Sequence, residues 1–445
     1  MAIRLFSTPT QQSLSANAGP SMHLNTVDSG KSSTASDLAF GGIAPWLITT
    51  LASLGIKTPT EVQTACIPAI LGGHDVIASS RTGSGKTAAF ALPVLTLLSQ
   101  DPFGIFALVL SPTRELVLQI GEQFKAFGEG LKLGVSIVIG GLDMMQQAMS
   151  LANDRPHIVI ATPGRLADLL RSSPDLKRAF SRLKFLIFDE ADRLLGEECF
   201  HSPVAEIISA SSEKRQNLFF SATLPRSIVD NIRLMLPKKE PFIYNCKESY
   251  EGIASLVQRC VIIPSQVKDS YLVHLLTTGP FASTPSIIIF VGKCKSTALH
   301  SRMSQKERIG SLIRFKGEVV PILITTDLSS RGLDIPAVQL VINYDVPADP
   351  RTYIHRIGRT ARAGKGGQSI TFIGEIDVAL FKAIEDEMKK NSTFTSITPL
   401  DEEFIKESEV LSLLNPVSKA KRMASMALLD SGFGERERRR KQREP

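Results

Sequence analysis

The stretch SRTGSGKT, Ser80–Thr87, combines two glycines, a lysine and a hydroxyl in the pattern of a phosphate cradle. Gly83 and Gly85 let the backbone bend until its N–H groups face phosphate oxygens. Lys86 is expected to reach the β- and γ-phosphates of a nucleotide, and the Thr87 hydroxyl to ligate Mg²⁺. The run AAFALPVLTLL follows, so a helix should begin at the loop and turn its positive N-terminal end toward the anion. The common pattern opens with glycine; Ser80 stands there instead, a small residue the turn tolerates. Farther along comes DEAD, Asp189–Asp192. Asp189 is expected to hold the metal through water, because Mg²⁺ dehydrates reluctantly. Glu190 is expected to orient or deprotonate the attacking water. Two acids after a strand can also be a solvated turn; the phosphate loop upstream favours the metal reading. HRIGRTAR, His355–Arg362, sets Arg359 and Arg362 three residues apart on one helical face. Aimed at a γ-phosphate they would be arginine fingers, worth about 10³–10⁵ in rate. A salt-bridged surface helix has the same spacing.

Such residues need elements to hold them. In open parallel sheets, ligands bind beyond the carboxyl ends of the strands. Here DVIAS precedes SRTGSGKT, ALVL precedes SPTREL, and IVIA precedes TPGR. FLIF precedes DEAD, LFF precedes SAT, and ILIT precedes TDLSSRGLD. One such junction would mean little, but six point to a shared surface. The runs are short, rich in Ile, Val, Leu and Phe, and do not alternate with polar residues. Strands buried on both faces of a parallel sheet read this way. The rhythm holds from Ala39 to Glu240, breaks in PFIYNCKESYEGIASL, and resumes in VQRCVII, SIIIFV, VPILITTD, VQLVINYD and SITFIG. The expected order is a polar leader at 1–37, an α/β unit at 38–240, a linker at 241–256, a second α/β unit at 257–390, and a charged helical tail at 391–445. One unit holds the nucleotide and the other supplies the arginines, so hydrolysis would require closure.

Bulk properties narrow the class. The 445 residues suggest two or three domains. At 43% hydrophobic, the chain can bury large cores. No apolar stretch approaches the ~20 residues of a membrane span. The start, MAIRLFSTPTQQSLSANAGP, has no signal-peptide core. It is either a disordered leader or a weak transit peptide, with Arg4 its only early arginine. Cys66, Cys199, Cys246, Cys260 and Cys294 form no CxxC pair, which speaks against metal or disulfide roles and for a reducing compartment. The net charge of +7 suits a polyanion partner. The terminal run GERERRRKQREP reads equally as a solvated tail or as an RNA-binding or nuclear-import patch.

With these motifs in this order, the chain resembles a DEAD-box RNA helicase, a superfamily 2 ATPase, over roughly residues 38–390. The resemblance implies two tandem RecA-like parallel-sheet domains, RNA-dependent hydrolysis of ATP with Mg²⁺, and local RNA unwinding. It implies that Phe40 stacks on adenine and Gln63 reads its edge. Thr82, Gly83, Ser84, Gly85, Lys86 and Thr87 would bind phosphates, and Asp334 the ribose. Ser221 and Thr223 would pair with Asp192 and, with His355, couple nucleotide state to RNA. RNA contacts would come from Pro112, Thr113 and Arg114, Gly140 and Gly141, and Thr162, Pro163, Gly164 and Arg165. In the second unit they would come from His300, Thr326 and Arg331. Contacts of this backbone type tell RNA from DNA and read no sequence. A DNA-directed relative fits less well, given the Gln63 motif and DEAD.

DPFGIFALVLSPTREL, RPHIVIATPGRLADLLRSS, VKDSYLVHLL and HRIGRTARAG resemble the branch that processes small-subunit ribosomal RNA. That implies pre-rRNA as substrate, ribosome-assembly proteins as partners, a monomer, and a nuclear, nucleolar location. The chain departs from the family between Phe290 and His300. Members carry about fifteen more residues there, and joining two parallel strands takes a dozen or more, usually with a helix. The second unit is therefore expected to be shortened near 292–297. A catalytically weak RNA- and ATP-binding form is the alternative to a full helicase.

Overall fold

The structure is a computed structural model of the chain. It describes residues 40–80, 83–222, 224–236, 240–245, 256–277, 279, 281–292, 305–327, 337–361, 366–390, 397–401 and 404–430. The chain forms two compact units that divide between Lys247 and Glu248.

The first unit is built on seven parallel strands: β1 Val76–Ser79, β2 Ala107–Leu110, β3 Val135–Val138, β4 Ile158–Ala161, β5 Phe185–Asp189, β6 Gln216–Ser221 and β7 Phe242–Asn245. Their order is β3-β4-β2-β5-β6-β1-β7. The helices are α1 Pro45–Ser53, α2 Glu61–Leu71, α3 Lys86–Gln100, α4 Arg114–Phe127, α5 Met144–Asn153, α6 Pro163–Ser172, α7 Pro174–Phe180, α8 Ala191–Gly196, α9 Glu198–Ala210 and α10 Arg226–Met235. Strand side chains alternate between faces, so a strand covered on both sides feeds two cores. In β5, Phe185 and Ile187 join a cluster with Leu47, Ile67, Phe90 and Phe124 of α1–α4. Leu186 and Phe188 join the opposite cluster with Leu166, Leu194, Val204 and Ile232. This two-sided burial explains the uninterrupted apolar runs. The edges differ. β7 is largely exposed, yet it pairs with β1 from Val76↔Phe242 to Ser79↔Asn245. Part of the stretch expected as a linker is thus a strand of the first sheet. Its apolar run is short because it covers one side only.

The second unit has β8 Leu256–Ile262, β9 Ile287–Phe290, β10 Ile322–Thr325, β11 Leu340–Asn343, β12 Gly367–Ile373 and β13 Thr398–Pro399, all parallel, in the order β10-β9-β11-β12-β8-β13. Its helices are α11 Lys268–Thr277, α12 Gln305–Lys316, α13 Pro350–Ile357, α14 Val378–Lys390 and α15 Glu407–Asp430. Residues beyond 390, expected as a tail, contribute to this unit: β13 extends the sheet beside β8, and the Phe404 ring stacks on Phe281 with centroids 6.1 Å apart. α15 fastens to α11 through Lys421–Asp269 at 2.5 Å and His274–Glu409 at 3.6 Å.

β9 pairs directly with β10, from Ile287↔Ile322 to Phe290↔Thr325, and α12 lies between them in sequence. The strand-like TALH falls within 293–304, outside the described residues. β10 is buried on the face toward α12, where Leu323 packs with Phe315. On its other face Ile324 is 38% exposed, against 5% for Leu323. Among the described residues, no helix is long and apolar enough to cross a membrane.

Candidate nucleotide and RNA site

The strand order of the first unit sorts the motifs. β1, β6 and β5 lie side by side, so the phosphate loop, the SAT segment and the acidic pair leave from adjacent carboxyl ends, about 4.8 Å apart per strand. β2, β4 and β3 carry PTRE, TPGR and the Gly140–Gly141 pair on the other half of the same edge.

The loop leaves β1 hydrogen-bonded to β6: the Ser80 N–H donates to the Ser221 carbonyl at 3.0 Å, and Ser79 Oγ donates to the Ala222 carbonyl at 3.4 Å. Gly85, at φ 87°, is the N-cap of α3. That left-handed conformation favours glycine, and a Cβ there would lie 2.3 Å from Gln63 Nε2 and push that amide aside. Gln63 Nε2 donates to the Gly85 carbonyl at 3.1 Å, while its Oε1 accepts from the Thr60 N–H at 3.0 Å. Gln63 therefore splices the start of α2 to the exit of the phosphate loop. Lys86 donates its ammonium to the Ser80 carbonyl. Ser84 Oγ is buried without a hydrogen-bond partner. Phe40 is 3% exposed and packs in the core beside α1–α3, so here its ring offers no free face to a base.

Asp189 ends β5 and is buried. Burial pushes its carboxyl up to about 6, against the opposing pull of Lys86 and the Glu190 backbone N–H; Asp192 adds to the rise. The charge of Lys86 thus reaches from the end of β1 to the end of β5. Glu190 takes φ 54°, ψ 52° at the start of α8. A non-glycine residue held in this region stores about 1–3 kcal/mol, a feature that collects at working sites. Its carboxylate lies 3.8 Å from Arg193, which Glu197 grips at 2.7 and 3.2 Å. Arg193 was not among the expected residues, although its spacing from both acids along DEADRLLGE signals the contact.

The other half of the edge gathers helix starts. Thr113 Oγ1 accepts from the Leu116 N–H at 3.3 Å, capping α4. α6 begins at Pro163 after Thr162, and the Thr162 N–H donates to the Val138 carbonyl at 2.9 Å. The Arg114 guanidinium lies against Gly140 and Gly141, where a Cβ would come within 3.1 and 2.6 Å of it. Arg165 Nη1 donates to the Leu142 carbonyl at 2.9 Å, and Gly164 is exposed. These expected residues are therefore gathered around one surface.

In the second unit, one residue that the motif reading passed over organises the strand ends. Arg356, buried on α13, grips Asp327 beyond β10 at 2.5 and 2.7 Å. It also donates to Asn343 Oδ1 at 3.2 Å and to the Asp345 carbonyl at 2.6 Å, both at the end of β11. Its guanidinium carbon sits 5.0 Å from the centroid of Phe290, at the end of β9. One side chain thus ties three neighbouring strand ends. Arg359 is buried beside it, and His355 and Thr326 are half-buried. Ala361 takes φ 52°. Thr82, Thr223, His300, Arg331, Asp334 and Arg362 lie outside the described residues.

Residues 60–232 match the family described as DEAD/DEAH box helicase, and residues 257–364 match the Helicase conserved C-terminal domain. The chain is 46% identical over 433 residues to "ATP-dependent RNA helicase dbp8" of Schizosaccharomyces pombe, covering 90% of this chain and 91% of that one. It is 45% identical over 415 residues to "Probable ATP-dependent RNA helicase DDX49" of Homo sapiens, covering 89% and 83%. Among solved structures it resembles Mss116p bound to ssRNA and AMP-PNP, with TM-score 0.72, 27% identity, and coverage of 87% of this chain and 85% of that one. It also resembles S. cerevisiae Dbp5 bound to RNA and ADP BeF3, with TM-score 0.69, 25% identity, and coverage of 86% and 100%. The chain belongs to the DEAD-box family of ATP-dependent RNA helicases, RNA-dependent ATPases that remodel RNA.

Proposed function

We propose that ATP is cleaved at the adjacent ends of β1, β6 and β5, with Lys86 on the β- and γ-phosphates and Glu190 directing the attacking water. The observation that carries this reading is the adjacency of the β1, β6 and β5 carboxyl ends, with the Ser80 N–H bonded to the Ser221 carbonyl and Asp189 buried at the end of β5. Mg²⁺ fits the same place. Thr87 and Asp189 offer only oxygen ligands, as a hard cation prefers, and a desolvated carboxylate gains from a divalent neighbour. The buried Ser84 hydroxyl is a free donor for a phosphate oxygen. Bound there, Mg²⁺ would supply neutralising charge to the β- and γ-phosphates. Arg359 and Arg362 of the second unit act on the same phosphates as arginine fingers, and Asp334 holds the ribose. Gln63 gives up its bonds to Gly85 and Thr60 in favour of adenine.

RNA runs along the other half of the edge, over Pro112–Arg114, Gly140–Gly141 and Thr162–Arg165, and continues on His300, Thr326 and Arg331. Ser221, Thr223, Asp192 and His355 couple the two halves. The substrate is pre-ribosomal RNA, and the protein works as a monomer among ribosome-assembly proteins in the nucleolus. The support is the likeness of DPFGIFALVLSPTREL, RPHIVIATPGRLADLLRSS, VKDSYLVHLL and HRIGRTARAG to the small-subunit rRNA-processing branch. A second reading, a form that binds ATP and RNA but turns over slowly, draws on the exposure of Ile324 on β10. The test is ATP turnover with and without RNA. RNA should raise the rate, and Glu190→Gln should lower it by about 10²–10⁴ with ATP still bound. Equal turnover with and without RNA would count against the first reading and favour the second.

A further inference from the structure

Beside the phosphate cradle, the surface changes character. Leu142, Met145 and Met149 are 49%, 66% and 57% exposed. Their spacings of three and four lead from the glycine pair onto one face of α5. Exposed apolar side chains scattered singly need no explanation, but a contiguous stripe marks a contact surface. This one is held firmly from beneath. Asp143 caps α5, accepting from the Gln146 N–H at 2.8 Å. The buried Gln147 exchanges hydrogen bonds with the Ile139 backbone at 3.0 and 3.1 Å and donates to the Asp143 carbonyl at 3.1 Å. Leu151 anchors the helix in the core.

We infer that Leu142, Met145 and Met149 pack against the bases of the RNA strand as it leaves the Gly140–Gly141 and Arg165 cradle. The inference rests on the proposed path of RNA over that cradle and adds a contact of a different kind. Continuity is the first argument: the Leu142 carbonyl is itself held by Arg165, so the stripe begins where the backbone contacts end. Length is the second. The seven residue steps from Leu142 to Met149, at about 1.5 Å each, span ~10 Å, enough for a short run of bases. Size is the third: these side chains, even with the neighbouring exposed Met144, fall far short of the roughly 20–30 residues a side of a stable protein interface. Chemistry is the fourth. Met is flexible and polarisable, and every base presents a flat face, so the grip tolerates any sequence. Bases are accessible in a single strand and hidden in a duplex, so the stripe favours the separated strand over the paired one.

The test uses the full chain with both methionines replaced, Met145→Gln and Met149→Gln. Both are exposed, so the fold and the RNA-free ATPase rate should not change. Two fluorescent probes are compared: a single-stranded RNA of about twelve nucleotides and an abasic strand of equal length. The double variant should bind the RNA about tenfold more weakly and the abasic strand as wild type does. Unchanged RNA binding, as expected if the stripe docks a protein, would overturn the inference, and so would an equal loss on both probes. Arg114→Ala with Arg165→Ala separates the two claims. It should weaken both probes alike; if abasic binding does not change, the cradle reading fails rather than the stripe.

Discussion

The two units carry their chemistry on unlike parts of their sheets. In the first, the phosphate loop and the acidic pair follow β1 and β5, strands buried along their whole length and flanked on both sides. In the second, the Thr326–Asp327 segment follows β10, an edge strand among the described residues, with one face half open. An interior strand fixes its carboxyl end by ladders on two sides and cores on two faces. An edge strand must borrow rigidity, and Arg356 supplies it by gripping Asp327 from α13. The strands behind the phosphate loop and the acidic pair are thus over-determined, while the end of β10 depends on a few polar contacts. The expected shortening near 292–297, where a helical crossover normally joins parallel strands, would produce this difference.

Restoring about fifteen helix-forming residues after Ser296 should have the largest effect. Each apolar side chain it covers contributes ~1.5–3 kcal/mol, so the second unit's unfolding midpoint should rise while the first unit's stays fixed. Calorimetry of the restored and native chains reads this; equal transitions would erase the contrast. Arg356→Ala should come next. It removes two bonds to the partly exposed Asp327 and two to the end of β11, each charge-assisted bond worth about 1.5–3 kcal/mol, read as a shift in denaturant midpoint of the second unit alone. Arg356→Lys should recover only part, because an ammonium cannot reproduce the paired bonds.

A third change acts on the first unit. The folded pKa of Asp189, about 6, exceeds the ordinary 3.8. The folded state therefore holds this proton more tightly, and its contribution to stability falls as pH rises from about 4 to about 6. Asp189→Asn should remove that fall and stabilise the first unit near pH 7 by up to ~3 kcal/mol; urea midpoints across this range check it. The smallest effect belongs to Ala361→Gly. Relief of the left-handed backbone, about 1–2 kcal/mol, is partly cancelled by the entropy of glycine. A net gain under ~1 kcal/mol is expected in thermal midpoint.

How much was legible follows the same physics. β1, β2, β4, β5 and β6 stood out because both faces are buried, so their residues form unbroken apolar runs. β7 and β13 did not, since short edge strands leave little pattern: Phe242–Asn245 read as linker and Thr398–Pro399 as tail. Lys86 and Asp189 were legible because their chemistry demands neighbours close in sequence. Arg356 sits inside HRIGRTAR yet was passed over, because its role exists only once the ends of β9, β10 and β11 come together. The bonds of Gln63 to Gly85 and the burial of Phe40 likewise belong to packing, which no local pattern carries.

Native-state hydrogen exchange on the unaltered chain tests the contrast between the units most directly. The amides of β1, β5 and β6 should exchange slowly, through global unfolding. Within the second unit, β10 should exchange well ahead of β9 and β11, and Arg356→Ala should speed β10 further. Protection of β10 equal to that of β9, unmoved by Arg356→Ala, would contradict it.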